Sequence, residues 1–229
     1  FFSEKLGVDY PWAKYSQIVG RDYVSGAMEN TTATVFFDKM NMTEGQYLDD
    51  NNEDIISHEL FHHWFGDLVT AESWANLPLN ESFATYGEYL WEEHKYGRDV
   101  ADLKGLEDMT AYFNSARQKQ VDLIRYNYSD REQMFDEVTY QKGGRVLHML
   151  RKTVGDDAFF KALNLYLTRN SYKTVEINDL RLAFEEVTGQ DLNWFFNQWF
   201  LASGHPVLSI KTSYDQEKHN ASVSIEQDQ

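Results

Sequence analysis

The sequence predicts an α+β chain that is mostly helical, with a short β-rich part near the N-terminus and the start of a β domain at the C-terminus. Three observations carry this. β-branched and aromatic residues cluster within residues 14–38, and apolar residues recur at three- and four-residue steps from about 54 to 201. After Gly204-His205-Pro206 the period falls to two.

In chain order, Thr34-Val35-Phe36-Phe37 reads as a strand. A polar stretch over 43–53 leads into helices expected over 54–69, 79–93, 99–116 and 140–154. Gly155 then precedes an Asp156-Asp157 helix start, Asn178 is the expected cap of a helix that stops at Gly189, and an aromatic helix follows over 192–201. Phe159, Leu163, Leu167, Leu180, Phe184 and Val187 fall on the apolar faces of these helices and read as core. Beyond residue 206, Leu208, Ile210, Thr212 and Tyr214 share one face of a strand, and Val223 and Ile225 mark a second. Two strands alone are marginal in water. Residues 1–205 are therefore expected to form one N-terminally truncated domain, and residues 206–229 the first strands of another. A start at Phe1 without an initiator Met, and an end inside a strand pattern, are expected of a piece of a longer protein.

Composition narrows the function. Of 229 residues, 21 are Lys or Arg and 37 Asp or Glu, a formal charge of -16 that repels phosphate backbones and anionic lipid surfaces. Nucleic acid is excluded as an expected partner. No apolar run approaches the roughly 20 residues of a membrane-spanning helix. Cysteine is absent, so a transition-metal site would have to be built from His and carboxylate. Nothing in the sequence specifies a compartment.

The segment with most chemistry is His58-Glu59-Leu60-Phe61-His62. On a helix, positions i and i+4 share a face, so two imidazoles can meet one metal with Glu59 beside them. The alternative is an amphipathic helix with two hydrogen-bonded or solvent-facing histidines. Glu81 lies in the first turn of the next expected helix, where a carboxylate can complete a His, His, Glu set or simply favour the helix N-terminus. Tyr140, one of 14 tyrosines, reads by itself as a packing residue.

Taken together these residues resemble a family. His58-Glu59-Leu60-Phe61-His62, 18 intervening residues and then Glu81 resemble the gluzincin pattern of the M1 aminopeptidases. Gly26-Ala27-Met28-Glu29-Asn30 resembles the exopeptidase signature of that family. Trp64-Phe65-Gly66-Asp67-Leu68-Val69-Thr70, Tyr140-Gln141-Lys142-Gly143 and Gly204-His205-Pro206 agree with it in order and spacing. The resemblance implies a thermolysin-like metallopeptidase catalytic domain, with one zinc ion per chain on His58, His62 and Glu81. It implies a general-base role for Glu59 towards the water that zinc activates, and an oxyanion-binding role for Tyr140. Gly26, Ala27, Met28 and Glu29 would bind substrate, with Glu29 holding the free α-amino group of a peptide. The implied partners are peptides with a free N-terminus, and N- and C-terminal domains that lie outside this chain.

Departures from the commonest wording of the family are Asn76 where Asp is frequent, Pro78 where Trp is frequent, and Ser82 where Gly is usual. Glycosylation triplets begin at Asn30, Asn41, Asn80, Asn127 and Asn220, of which Asn30 and Asn80 are expected to be enclosed. Three other functions stay open at this point. A thermolysin-type endopeptidase would have no use for Glu29, a silent binding module would need only the fold, and a related hydrolase could act on a non-peptide bond.

Overall fold

The computed structural model describes residues 1–49 and 51–228. Helix α1 (Phe2–Leu6) leads to a small sheet of β1 (Ser16–Val19), β2 (Ala27–Met28) and β3 (Ala33–Phe36). The strands lie in the order β1-β3-β2. β1 runs parallel to β3, with Ser16 opposite Ala33, and β2 runs antiparallel, with Ala27 opposite Phe36. One edge of β2 is therefore without a strand among the described residues.

Helices α2 (Glu44–Asp49) and α3 (Glu53–Phe61) follow, then β4 (Val69–Ala71), α4 (Pro78–Lys95) and α5 (Arg98–Ala116). The second half holds α6 (Gly143–Val154), α7 (Asp156–Asn170), β5 (Lys173–Val175), α8 (Ile177–Thr188) and α9 (Asn193–Trp199). Strands β6 (Leu208–Asp215) and β7 (Asn220–Gln227) close the chain.

Helix α4 organises the site. It opens with Pro78 at its first position, where the missing N–H is no loss. Leu79, Phe83, Tyr86 and Leu90 bury one stripe of it. Each such side chain contributes about 1.5–3 kcal/mol by leaving water. The rings of Phe65 and Phe83 stack 4.2 Å apart and Tyr166 of α7 extends the stack, so the segment after α3 is locked to α4. Two glycine contacts let helices approach. A Cβ on Gly87 would stand 2.7 Å from Phe61 Cγ of α3, and one on Gly143 would stand 1.9 Å from Ser82 Oγ.

Three expected boundaries differ. The helix expected over 54–69 ends at Phe61, and Val69 instead begins β4, which pairs in parallel with β5 from Val69–Lys173 to Ala71–Val175. Trp64, Phe65, Leu68 and Val69 are buried either way, so periodicity could not reveal a strand whose partner lies far along the chain. The cap of α8 is Glu176 rather than Asn178: Glu176 and Asp179 form a reciprocal capping box, with Asp179 accepting from the Glu176 N–H at 2.8 Å. The helix expected over 140–154 begins as a π-helical turn, Val138–Lys142, before α6.

The C-terminal hairpin matches the expected period. Ile210 pairs with Ile225 and Thr212 with Val223 on one face, while Ser209, Lys211, Ser213, Ser222, Ser224 and Glu226 fill the other. Ile210 and Ile225 are 59% and 63% exposed.

Candidate active site

His58 stands on α3 and His62, one turn later, caps its C-terminus, while Glu81 faces them from the first turn of α4. His58 Nε2 lies 3.4 Å and His62 Nε2 3.2 Å from Glu81 Oε2. Ligands about 2.0–2.2 Å from a tetrahedral zinc ion are roughly 3.3–3.5 Å apart, so both histidine-to-carboxylate distances suit a zinc site, and all three ligand atoms lie within 4.8 Å of one another. The other imidazole nitrogens are engaged. His58 Nδ1 is 2.6 Å from Glu88 Oε1, and His62 Nδ1 is 3.1 Å from the Phe65 carbonyl. With a proton on each Nδ1, both Nε2 lone pairs point towards the shared Glu81 oxygen.

The electrostatics favour a cation here. Burial alone would lower both imidazoles, but the hydrogen bonds to Glu81 and Glu88 hold His58 up at about 10. Against the same penalty, the charges of Glu81 and Glu29 hold His62 at about 9. Burial would raise Glu81, yet the two histidines keep its carboxyl well below the usual range. A pocket that draws positive charge onto two buried imidazoles, with two nitrogens and one carboxylate oxygen converging, fits a divalent transition metal.

The remaining residues of interest surround this set. Glu59 is buried, and its Oε2 has no hydrogen-bond partner among the described residues. Burial, with Glu29 and Glu81 adding to it against the two histidines, pushes its carboxyl up to about 7. Glu29 follows β2, with Oε1 3.9 Å from His62 Nδ1, and one oxygen each of Glu29 and Glu59 lies within 4.8 Å of a His62 nitrogen. Tyr140 projects from the π-helical turn, its ring stacked on His58 with centroids 6.1 Å apart. Burial, and then the carboxylates around it, raise that phenol far above its ordinary value, so it stays protonated. Gly26 has open space where a Cβ would stand, Ala27 is half-buried, and Met28 is 39% exposed. All nine residues singled out in the sequence thus lie on α3 or its C-cap, on α4, on the π turn or on the β2 edge that adjoins them.

Several residues at the site escaped the sequence reading. Glu88 binds His58 through Oε1 and Lys104 Nζ of α5 through Oε2, at 2.6 Å each, and Lys104 reaches Asp108 at 3.1 Å. Burial would raise Glu88, but its bonds to His58 and Lys104 keep it low. Its seven-residue offset from Glu81, two turns along one helix face, was the available signal. Asp67, five residues beyond His62, is pushed up to about 6 by burial, with Glu29 adding to the effect. The expectation for Asn30 fails, since it is exposed, whereas Asn80 is half-buried and accepts from the Ala71 N–H at 3.2 Å.

Comparison with known proteins shows the family and the fold. The model of the peptidase family M1 domain matches residues 1–199. Aminopeptidase N of Streptomyces lividans is 35% identical over 243 residues, an alignment covering 100% of this chain and 28% of that protein. Aminopeptidase M1 of Arabidopsis thaliana is 30% identical over 217 residues, covering 92% of this chain and 25% of its own length. The chain thus spans about a quarter of these relatives. Among solved structures, the M1 zinc metallopeptidase from Deinococcus radiodurans superposes with a TM-score of 0.72 at 27% identity, over 90% of this chain and 42% of that one. Aminopeptidase A of Legionella pneumophila, solved with aspartic acid, gives 0.78 at 22% identity over 98% of this chain and 26% of that one, a likeness of fold.

Proposed function

The chain belongs to peptidase family M1, and from this premise we propose that it is the catalytic part of a zinc-dependent aminopeptidase that hydrolyses the N-terminal bond of peptides. The observation that carries the reading is the meeting of two histidines and a carboxylate, their ligand atoms within 4.8 Å of one another, with two further carboxylates, Glu59 and Glu29, on one side of them.

His58 Nε2, His62 Nε2 and a Glu81 oxygen would hold one zinc ion, with Glu88 and the Phe65 carbonyl fixing the two rings. Bound there, zinc supplies Lewis acidity towards the scissile carbonyl and lowers the pKa of water. Glu59 is the base: its unpartnered Oε2 takes a proton from the attacking water and returns it to the leaving amine, and a carboxyl poised near 7 suits both transfers. The protonated Tyr140 hydroxyl donates to the oxyanion that develops on the carbonyl oxygen, a contact worth about a hundredfold to a thousandfold in rate.

Glu29 supports an exopeptidase. Its carboxylate, just past the open edge of β2, pairs with an ammonium, whereas an internal peptide segment would leave it buried without a counter-charge. Gly26 and Ala27 leave that edge clear for the substrate backbone to add as a strand, and exposed Met28 lies beside it. Strands β6 and β7 form an amphipathic ribbon whose apolar face is exposed, and residues 206–229 are read as the opening of a second domain.

The test is hydrolysis of a panel of aminoacyl anilides by the zinc-loaded chain, each with a free and an acetylated α-amino group. Cleavage restricted to the free-amine set, and lost in Glu29→Ala, is the expected result. Cleavage of the acetylated set would replace the aminopeptidase with an endopeptidase. The preferred first residue, and the rate of the whole protein, depend on parts beyond this chain, and the isolated chain is expected to turn over more slowly than the longer protein.

A further inference from the structure

Ser82 follows Glu81 on α4, fully buried, and its hydroxyl donates to the Thr139 carbonyl at 2.6 Å. A serine inside a helix more often bonds back to its own helix or to water. This one crosses to the residue before Tyr140, at the position where the M1 resemblance leads one to expect glycine. We propose that Ser82 is a positioning residue that ties the helix bearing Glu81 to the turn bearing Tyr140, setting where the Tyr140 hydroxyl stands over the site. The inference rests on the oxyanion-binding role read for Tyr140 above.

Every polar group of Thr139 is held. Its N–H donates to Asp136 Oδ1 at 3.0 Å, and its hydroxyl donates to the Met134 carbonyl at 2.5 Å and accepts from Arg125 Nη2 at 2.6 Å. Arg125 and Asp136 are themselves paired at 2.7 Å. These contacts fix the turn to its own neighbourhood but not to the zinc-ligand helix. The Ser82 bond supplies that link, one residue from Glu81 on one side and one residue from Tyr140 on the other. The turn is π-helical, a local irregularity that alters the direction of the side chains it carries, so an outside anchor has an orientation to decide. Packing leaves little room to drift, because a Cβ on Gly143 would overlap Ser82 Oγ and one on Gly144 would stand 3.2 Å from Thr85 Cγ2.

Without the hydroxyl, the Thr139 carbonyl loses that partner inside the protein, and the space that Ser82 Oγ filled beside Gly143 allows the turn a small shift against α4. A displacement of this kind affects a developing oxyanion far more than a bound ground state, because the Tyr140 bond tightens only as charge develops.

The experiment compares the zinc-loaded parent with Ser82→Ala, Ser82→Gly, Tyr140→Phe and Ser82→Ala/Tyr140→Phe. Three affinities are measured: for zinc, for L-leucine, and for a phosphinic pseudodipeptide with a free amino group, whose tetrahedral anion stands in for the transition state. Amide exchange across residues 138–143 reports the tether directly. Ser82→Ala and Ser82→Gly are expected to keep zinc and leucine affinity, to lose about tenfold to a hundredfold in phosphinate affinity, and to exchange faster in that turn. In the Tyr140→Phe background Ser82→Ala should add nothing, since both act through one hydroxyl. Phosphinate affinity that falls in Tyr140→Phe but not in either Ser82 variant, or losses that add in full, would overturn the role of Ser82. Unchanged affinity in Tyr140→Phe would overturn the reading of Tyr140, and the role of Ser82 with it.

Discussion

Glu88 Oε1 lies 2.6 Å from His58 Nδ1, across the imidazole from the Nε2 that faces Glu81. The bond fixes the ring plane and the tautomer, and makes Nε2 a stronger donor to a metal. Glu88→Gln keeps the shape but removes the charge. Its zinc dissociation constant is expected to rise about tenfold to a hundredfold, read by competition with a chromogenic chelator. An unchanged constant would reduce Glu88 to a partner of Lys104.

Glu59 separates metal binding from turnover. Its Oε2 is unpartnered, and both histidine Nε2 atoms converge on Glu81 rather than on Glu59, so Glu59→Gln should leave zinc content at one equivalent by mass spectrometry. The rate of anilide cleavage should fall by about two to four orders of magnitude. Loss of zinc in this variant would instead make Glu59 a ligand.

At Gly87, α4 lies close against Phe61 of α3. A methyl there would meet Phe61 Cγ at 2.7 Å, and Phe61 is already stacked on Phe65 with centroids 4.9 Å apart. Gly87→Ala improves helix propensity on paper, yet it should destabilise the chain by about 1–3 kcal/mol through overpacking, seen as a lower thermal midpoint. Because α3 and its C-cap carry both histidines, zinc affinity should weaken with it. A stabilised variant would mean that the two helices can separate without harm.

Part of the candidate site was legible because His58, Glu59 and His62 declare themselves by spacing along one helical turn, whereas Glu81 at the head of α4 stayed open between ligand and helix N-terminus until the family resemblance was read. Their gathering around Tyr140 and Glu29 was readable only through the family resemblance, since no local pattern places 29, 58, 81 and 140 together. What stayed hidden depends on packing between distant segments. Lys104 faces Glu88 from another helix, β4 finds its partner in β5, and Ser82 meets Thr139 across 57 positions. The misread helix end at Phe61 has the same origin: the apolar run after it serves a strand as well as it would serve a helix.

His148 gives a pH dependence independent of the metal. It sits on α6 against the Tyr89 ring, with the Tyr86 hydroxyl 3.3 Å from Nδ1. Burial, reinforced by Arg145, Lys152 and Arg151, lowers its pKa from 6.5 to about 4. Above pH 6.5 the ring is neutral in both the folded and the unfolded chain, so its contribution to stability is fully present. As pH falls below 6.5 the unfolded chain takes up a proton that the folded chain refuses until about 4, and stability is lost progressively across that window. His148→Gln cannot titrate and keeps an acceptor near Tyr86. Measured by urea unfolding at pH 7.5 and 4.5, the parent should lose roughly 1–2 kcal/mol more than the variant, a figure reduced for the solvent that still reaches a ring 8% exposed. Using the difference between the two proteins cancels the carboxylates and the site histidines that both share. Parallel losses would mean that the ring protonates in the folded chain as easily as in the unfolded one, and that the positive charges of Arg145, Lys152 and Arg151 do not reach it.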